Sequence, residues 1–178
     1  MGFSTYEKSS IKEIKQLFTK VFSDSEDPSE GSLIGGLVFD LIESTDAKDI
    51  HGFVATENDQ IIGSIFFTRL MFESEVNAFI LAPVAIQTDW QGRGIGQNLI
   101  TFGIGHLKKE GVKLLFTYGD PNYYSKVGFR HITEKVAKAP LTLSQPEGWL
   151  CQSLLGTEIK PITGHSYCVE AFNKPELW

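Results

Sequence analysis

Apolar residues recur at helical spacing near the start of the chain, where Ile11, Ile14, Leu17, Phe18 and Val21 share one face. Ser10 followed by Glu13 reads as a capping box at the head of this first helix. The polar stretch Ser23 to Gly31 breaks the pattern. Leu33, Leu37, Val38 and Leu41 then predict a second helix, weakened by Gly35 and Gly36.

The period changes next. Gly52 to Thr56 and Ile61 to Leu70 are rich in β-branched and aromatic residues, and Glu57, Asn58, Asp59 and Gln60 join them as the turn of an antiparallel hairpin. Ala78 to Ile86 is almost wholly apolar, as a strand covered on both faces is, yet Pro83 has no N–H for a ladder and predicts a bulge or an unpaired stretch. Leu99, Ile100, Ile104 and Leu107 mark a third helix, with Lys108 and Lys109 in its last turn and Gly111 to stop it. Val112 to Tyr118 reads as a strand. Asp120 and Pro121 are the preferred N-cap and N1 pair for a short helix that carries Tyr123 and Tyr124 and ends at Gly128.

From Phe129 to Trp178 the apolar runs are short, at Leu141 to Leu143 and Trp149 to Leu155, and prolines and glycines divide them into strands and loops. No internal repeat or linker interrupts the 178 residues, so one α/β domain with a mixed sheet is expected.

Composition changes this picture little. Hydrophobic residues make up 42% and charged residues 21%, which is ordinary for a soluble globular chain. Sixteen basic against twenty-two acidic side chains give a formal charge of -6, so a nucleic-acid partner is not expected. The first twenty residues mix charges among apolar positions, which predicts neither a leader nor a membrane span, and a cytoplasmic location follows as the default. Cys151 and Cys168 fit no metal or redox spacing and read as reduced core thiols. His51, His106, His131 and His165 are scattered, so no metal is predicted.

The chemistry gathers at Gln91, Gly92, Arg93, Gly94, Ile95 and Gly96, between an apolar strand and an amphipathic helix. Free N–H groups at a helix start attract anions, and glycines let the backbone wrap a diphosphate. A phosphate loop of nucleotide triphosphatases needs Lys and Ser or Thr after its last glycine, where this chain has Gln97 and Asn98. The dinucleotide fingerprint needs a glycine where Gln97 stands, and the chain does not open with a parallel βαβ unit, which leaves an NAD-dependent oxidoreductase as a weaker reading.

The run Val84-Ala-Ile-Gln-Thr-Asp-Trp-Gln-Gly-Arg-Gly-Ile-Gly96 resembles the coenzyme A motif Q/R-x-x-G-x-G/A of the GNAT superfamily of N-acetyltransferases, with Thr88 in place of the usual proline. Tyr124, Ser125, Lys126, Val127, Gly128 and Phe129 resemble the family's second signature, Tyr-x-x-x-Gly-Phe. The Gly-Asp-Pro-x-Tyr-Tyr segment from Gly119 to Tyr124 is similar to that of a bacterial subgroup with largely unassigned substrates. The likeness covers about residues 11–130 and leaves 131–178 without a motif.

The resemblance implies a mixed, mainly antiparallel central sheet flanked by helices, the acyl-CoA N-acyltransferase fold, classed as α/β or α+β. It further implies acetyl-CoA as cosubstrate, held by Val84, Ile86, Gln91, Gly92, Arg93, Gly94, Ile95, Gly96 and Gln97. The backbone N–H near Ile86 would polarise the acetyl carbonyl, and Tyr124 would protonate the departing thiolate. A small-molecule or peptide amine is the implied acceptor, and a catalytically silent acetyl-CoA sensor is the rival reading. Glu73 and Glu75, ahead of the strand at Ala78, are candidate bases, though surface positions suit both; Asp120 is expected to cap its helix. Exposed strands or the C-terminal segment could build a homodimer.

Overall fold

The computed structural model describes residues 1–178. Helix α1, Ile11–Ser25, buries Ile14, Leu17, Phe18 and Val21, the face that the spacing predicts. Ser10 stands at its N-cap but makes no side-chain cap bond. The predicted capping box is not formed, because Glu13 Oε1 accepts the N–H of Ile61 at 2.9 Å instead, a tertiary bond in place of a local one. The break after α1 is also shorter than the polar composition predicts. Helix α2, Pro28–Ser44, follows after Glu26 and Asp27 alone, with Asp27 accepting the Glu30 N–H at 2.8 Å and Pro28 in the first turn.

Two of the three glycines of α2 serve packing. A Cβ on Gly31 would run into Ser23 and the Thr19 carbonyl, and one on Gly35 would run into the Thr19 side chain, so these two positions let α2 lie against α1. Gly36 has open space around it.

Strand β1, Gly2–Thr5, lies where no periodicity predicts one and pairs antiparallel with β2, Ile50–Glu57, from Gly2 opposite Thr56 to Thr5 opposite Phe53. Strands β2 and β3, Gln60–Phe72, form the predicted hairpin. Its turn is only Asn58 and Asp59, at φ 50° and 61°, so Glu57 and Gln60 belong to the strands. Asn and Asp tolerate this left-handed pair, which matches the twist of the flanking strands.

Strand β4, Ala78–Ile86, has the predicted limits. Strands β3 and β4 each contribute to two compact units, Met1–Phe66 with Pro83–Gly103, and Phe67–Ala82 with Ile104–Trp178. In the first, β1, β2 and β3 follow in order, and Phe18 packs on Phe66 while Phe53 meets Phe102 edge-on at 5.7 Å. Phe102 lies on helix α3, Ile95–Lys109, whose predicted stop is in place, with Gly111 left-handed at φ 79°.

In the second unit β4 runs parallel to β5, Leu114–Tyr118, and β5 pairs antiparallel with β7, Trp149–Ser153. The strand β5 starts two residues later than predicted, because the Val112 N–H bonds back to Leu107 and closes the preceding helix. The short helix α4, Pro121–Tyr124, and strand β6, Arg130–His131, precede β7, which pairs with β6. Strand β8, Ser166–Tyr167, pairs with the end of β3. Of the two late apolar runs only the second is a strand; Leu143 is buried from a loop. Phe116 stacks on Trp149 at 5.2 Å, and Trp149 and Trp178 donate their indole N–H groups to the Ala137 and Phe172 carbonyls. Each large ring is thus buried with its polar atom satisfied.

Candidate active site

The parallel ladder between β4 and β5 runs from Ala78 opposite Leu114 to Leu81 opposite Thr117. Pro83 lies two residues beyond its end, as the missing N–H of proline requires. From there β4 is not covered on both faces as its apolar sequence predicts, since Ala82 and Val84 keep part of their surface open while Pro83, Ala85 and Ile86 are buried.

After β4 the chain turns through Thr88–Trp90 into the glycine run. Three side chains fix this turn. Gln91 Nε2 donates to the Ile86 carbonyl at 2.9 Å, Arg93 Nη2 donates to the Asp89 carbonyl at 2.9 Å while its guanidinium lies over the Trp90 ring, and Thr88 Oγ1 donates to Asp24 at 2.7 Å. The threonine that replaces the motif's proline therefore ties the turn to α1.

Gly92 and Gly94 adopt left-handed backbone, φ 74° and 76°, with no atom within 4 Å of where a Cβ would stand. Glycine is required there by conformation, and the space beside it is open. The first helical bond of α3 runs from the Asn98 N–H to Gly94. The amide hydrogens from Arg93 to Gln97 meet no acceptor from the chain. Unpaired donors at the positive end of a helix form a cradle for phosphate oxygens.

The second unit holds Tyr124. Asp120 accepts the Asn122 N–H at 2.9 Å and Pro121 opens the helix, the capping that the sequence predicts. The Tyr124 ring meets Tyr123 and Phe129 edge-on at 5.0 and 5.8 Å. A Cβ on Gly119 would stand 2.8 Å from Tyr124 Cε2, so only glycine leaves room for this ring. The phenol faces the Thr117 hydroxyl, which donates to the Leu81 carbonyl at 2.8 Å. Burial of the hydroxyl, assisted by the neighbouring Tyr123, raises the phenol pKa above its ordinary value and keeps it protonated. Thr117 and Leu81 carry no sequence signal, because a hydroxyl inside a strand looks like any other strand residue.

Glu73 and Glu75 are both exposed, and Glu73 packs beside Gly164. Cys151 and Cys168 are free thiols, the first buried and the second half-buried, and burial pushes them up to about 12 and about 11. No group of three or more His, Cys, Asp or Glu side chains is gathered in metal-binding geometry.

The acetyltransferase (GNAT) domain model matches residues 48–131, which contain both the glycine turn and the tyrosine segment. The uncharacterized N-acetyltransferase YjhQ of Escherichia coli K12 is 30% identical over 174 residues, covering 94% of this chain and 92% of that protein. The chain belongs to the GNAT acetyltransferase family. It is an acyltransferase, and the mainly antiparallel sheet flanked by helices is the GNAT fold. A second relative, the uncharacterized N-acetyltransferase YhbS of the same strain, is 34% identical over 95 residues, 52% of this chain and 56% of that protein. Among solved structures, the GNAT family N-acetyltransferase YhbS of E. coli in complex with CoA superposes with a TM-score of 0.80 at 24% identity, over 97% of this chain and 92% of that one. A GNAT family acetyltransferase of Brucella melitensis in complex with acetyl-CoA gives 0.75, also at 24% identity, over 97% of both chains. No helix of this GNAT protein is long and apolar enough to cross a membrane.

Proposed function

We propose that this GNAT protein moves an acetyl group from acetyl-CoA directly to the amine of a small molecule or peptide. The observation that carries the reading is the row of amide hydrogens from Arg93 to Gln97 without acceptors, which suits the pyrophosphate of the coenzyme. The part-open stretch of β4 at Ala82 and Val84, beyond the end of the β5 ladder, offers strand backbone to the pantetheine arm, and the structures of relatives with CoA and acetyl-CoA support this choice of cosubstrate.

In the proposed reaction a neutral amine attacks the thioester carbonyl, whose oxygen accepts the backbone N–H near Ile86. The new C–N bond forms, the C–S bond breaks, and the electron pair leaves on sulfur. Tyr124 supplies the proton that the sulfur takes up, its raised pKa keeping that proton in place at neutral pH, and the phenolate is then reprotonated by the proton that the attacking nitrogen sheds through water as it becomes the amide. An aliphatic ammonium with a pKa of about 10.4 first gives its own proton to water. Glu73 and Glu75, as exposed surface carboxylates, are not needed for this path.

Calorimetric titration with acetyl-CoA and with NAD, followed by an assay of thiol release over a panel of amines, tests the reading. Binding of acetyl-CoA and amine-dependent release of CoA are expected. Binding without release for any amine would make the protein a sensor, and binding of NAD alone would overturn the assignment.

A further inference from the structure

The first unit contains a cavity of about 450 Å³ between the side of α1 that carries Glu13, Leu17 and Asp24, the start of β3 and the residues that follow β4. Its volume lies in the range of small-molecule sites. We infer that this cavity is a second binding site, for a small organic cation of the aliphatic amine class.

The walls are fixed by hydrogen bonds that link all three segments. Glu13 accepts the Ile61 N–H at 2.9 Å, Gln87 Nε2 donates to the Ile61 carbonyl at 3.0 Å, and Thr88 donates to Asp24 at 2.7 Å. These bonds hold the cavity open in the free protein, so a ligand need not order it.

The base is apolar, formed by Leu17, Val21 and Ile61, all buried against the core, and it suits a short methylene stem. Charge decides the class of head group. Three carboxylates, Glu13, Asp24 and Asp89, line the cavity with one ammonium, Lys20, which leaves a formal charge of −2. Lys20 is committed to Asp24 at 2.7 Å, and the same bond, with the one from Thr88, holds the Asp24 carboxyl below its ordinary pKa. Asp24 is therefore ionised at neutral pH and already matched. Lys20 also lies in the field of Asp89, yet one ammonium does not balance three carboxylates, so Glu13 and Asp89 leave the cavity net negative.

The side chains of Gln16 and Gln60 have no partner from the chain and face the same space, offering carbonyl oxygens to N–H donors. An anion meets net repulsion in this cavity, so the site is not an extension of the phosphate turn. A neutral alcohol of the same length would find the apolar base but lose the electrostatic attraction.

The test titrates the protein, without acetyl-CoA, with 1,4-diaminobutane, following amide shifts by NMR and heat by calorimetry, with 1,4-butanediol as the control. Saturable 1:1 binding of the diamine and none of the diol are expected, with shifts centred on Gln16, Ile61 and Gln87. Glu13→Gln keeps an oxygen to accept the Ile61 N–H, and Asp89→Asn keeps its size, so both variants remove charge without removing shape. Each is expected to weaken the diamine about threefold, and the two together about tenfold, as partly exposed charge pairs do. Gln16→Arg places a guanidinium in the cavity and is expected to compete with the ligand. The inference fails if the wild type shows no saturable binding at high millimolar diamine. It also fails if the charge variants and Gln16→Arg, folded by their thermal melts, bind it as tightly as the wild type does. Because thiol release plays no part, failure here leaves the acetyl transfer reading standing, and loss of that reading leaves this test intact.

Discussion

The turn from Gln91 to Gly96 and the segment from Gly119 to Phe129 are both short, glycine-bearing and joined to a helix, yet they are built to opposite ends. In the first, Gly92 and Gly94 have empty space where a side chain would be, and the amide hydrogens beyond them are unpaired. In the second, Gly119 is crowded by the Tyr124 ring and Gly128 by Gln152. Its backbone is also satisfied, with Tyr123 and Tyr124 N–H groups bonded to Asp120 and the Phe129 N–H bonded to Tyr124. One segment leaves main-chain donors open; the other uses main chain to hold a side chain still. Unpaired backbone donors are stable only where water or an anion can reach them, and a tyrosine ring is held still by the neighbours packed against it.

That contrast predicts which measured quantity each segment controls. Tyr124→Phe is expected to lower kcat about 100-fold or more, the usual worth of a positioned proton donor, with acetyl-CoA affinity retained in calorimetry. Unchanged turnover where chemistry limits the rate would remove the tyrosine from the mechanism. Gly94→Ala puts a Cβ on left-handed backbone at a cost of about 1–2 kcal/mol, so acetyl-CoA affinity is expected to fall roughly tenfold while kcat at saturation holds. Gly119→Ala displaces the Tyr124 ring, and here the order reverses, with kcat down about tenfold and acetyl-CoA affinity unmoved. If both glycine variants changed the same parameter, the division of labour between the two segments would be wrong.

The smallest effect concerns stability and lies in the packed second unit. The buried Cys151 thiol titrates at about 12 in the folded protein against an ordinary 9.0. Below that ordinary value both states hold the proton and the thiol contributes nothing to pH dependence. Between the two values the unfolded chain releases the proton and the folded chain retains it, so stability falls as pH rises. Chemical denaturation at pH 8 and pH 10 is expected to show a loss of about 1 kcal/mol from this source, absent in Cys151→Ala.

Sequence alone determined the elements whose signal is local. Periodicity located α1 and α3 and the extent of β4, because apolar spacing is dictated by the face each element buries. Capping chemistry located α4 from Asp120 and Pro121, and glycine spacing located the turn at Gln91 to Gly96, since left-handed backbone restricts the residue type. Tertiary structure decided what depends on partners distant along the chain. It diverted Glu13 from its helix cap to Ile61, turned Gly35 from a helix weakener into a helix contact beside Gly31, and formed β1 from a stretch that pairs with β2 and packs Phe3 on Phe102. It likewise brought the Thr117 hydroxyl to Tyr124 and shaped the cavity beside α1, because a hydrogen bond or a hollow exists only when two remote segments meet.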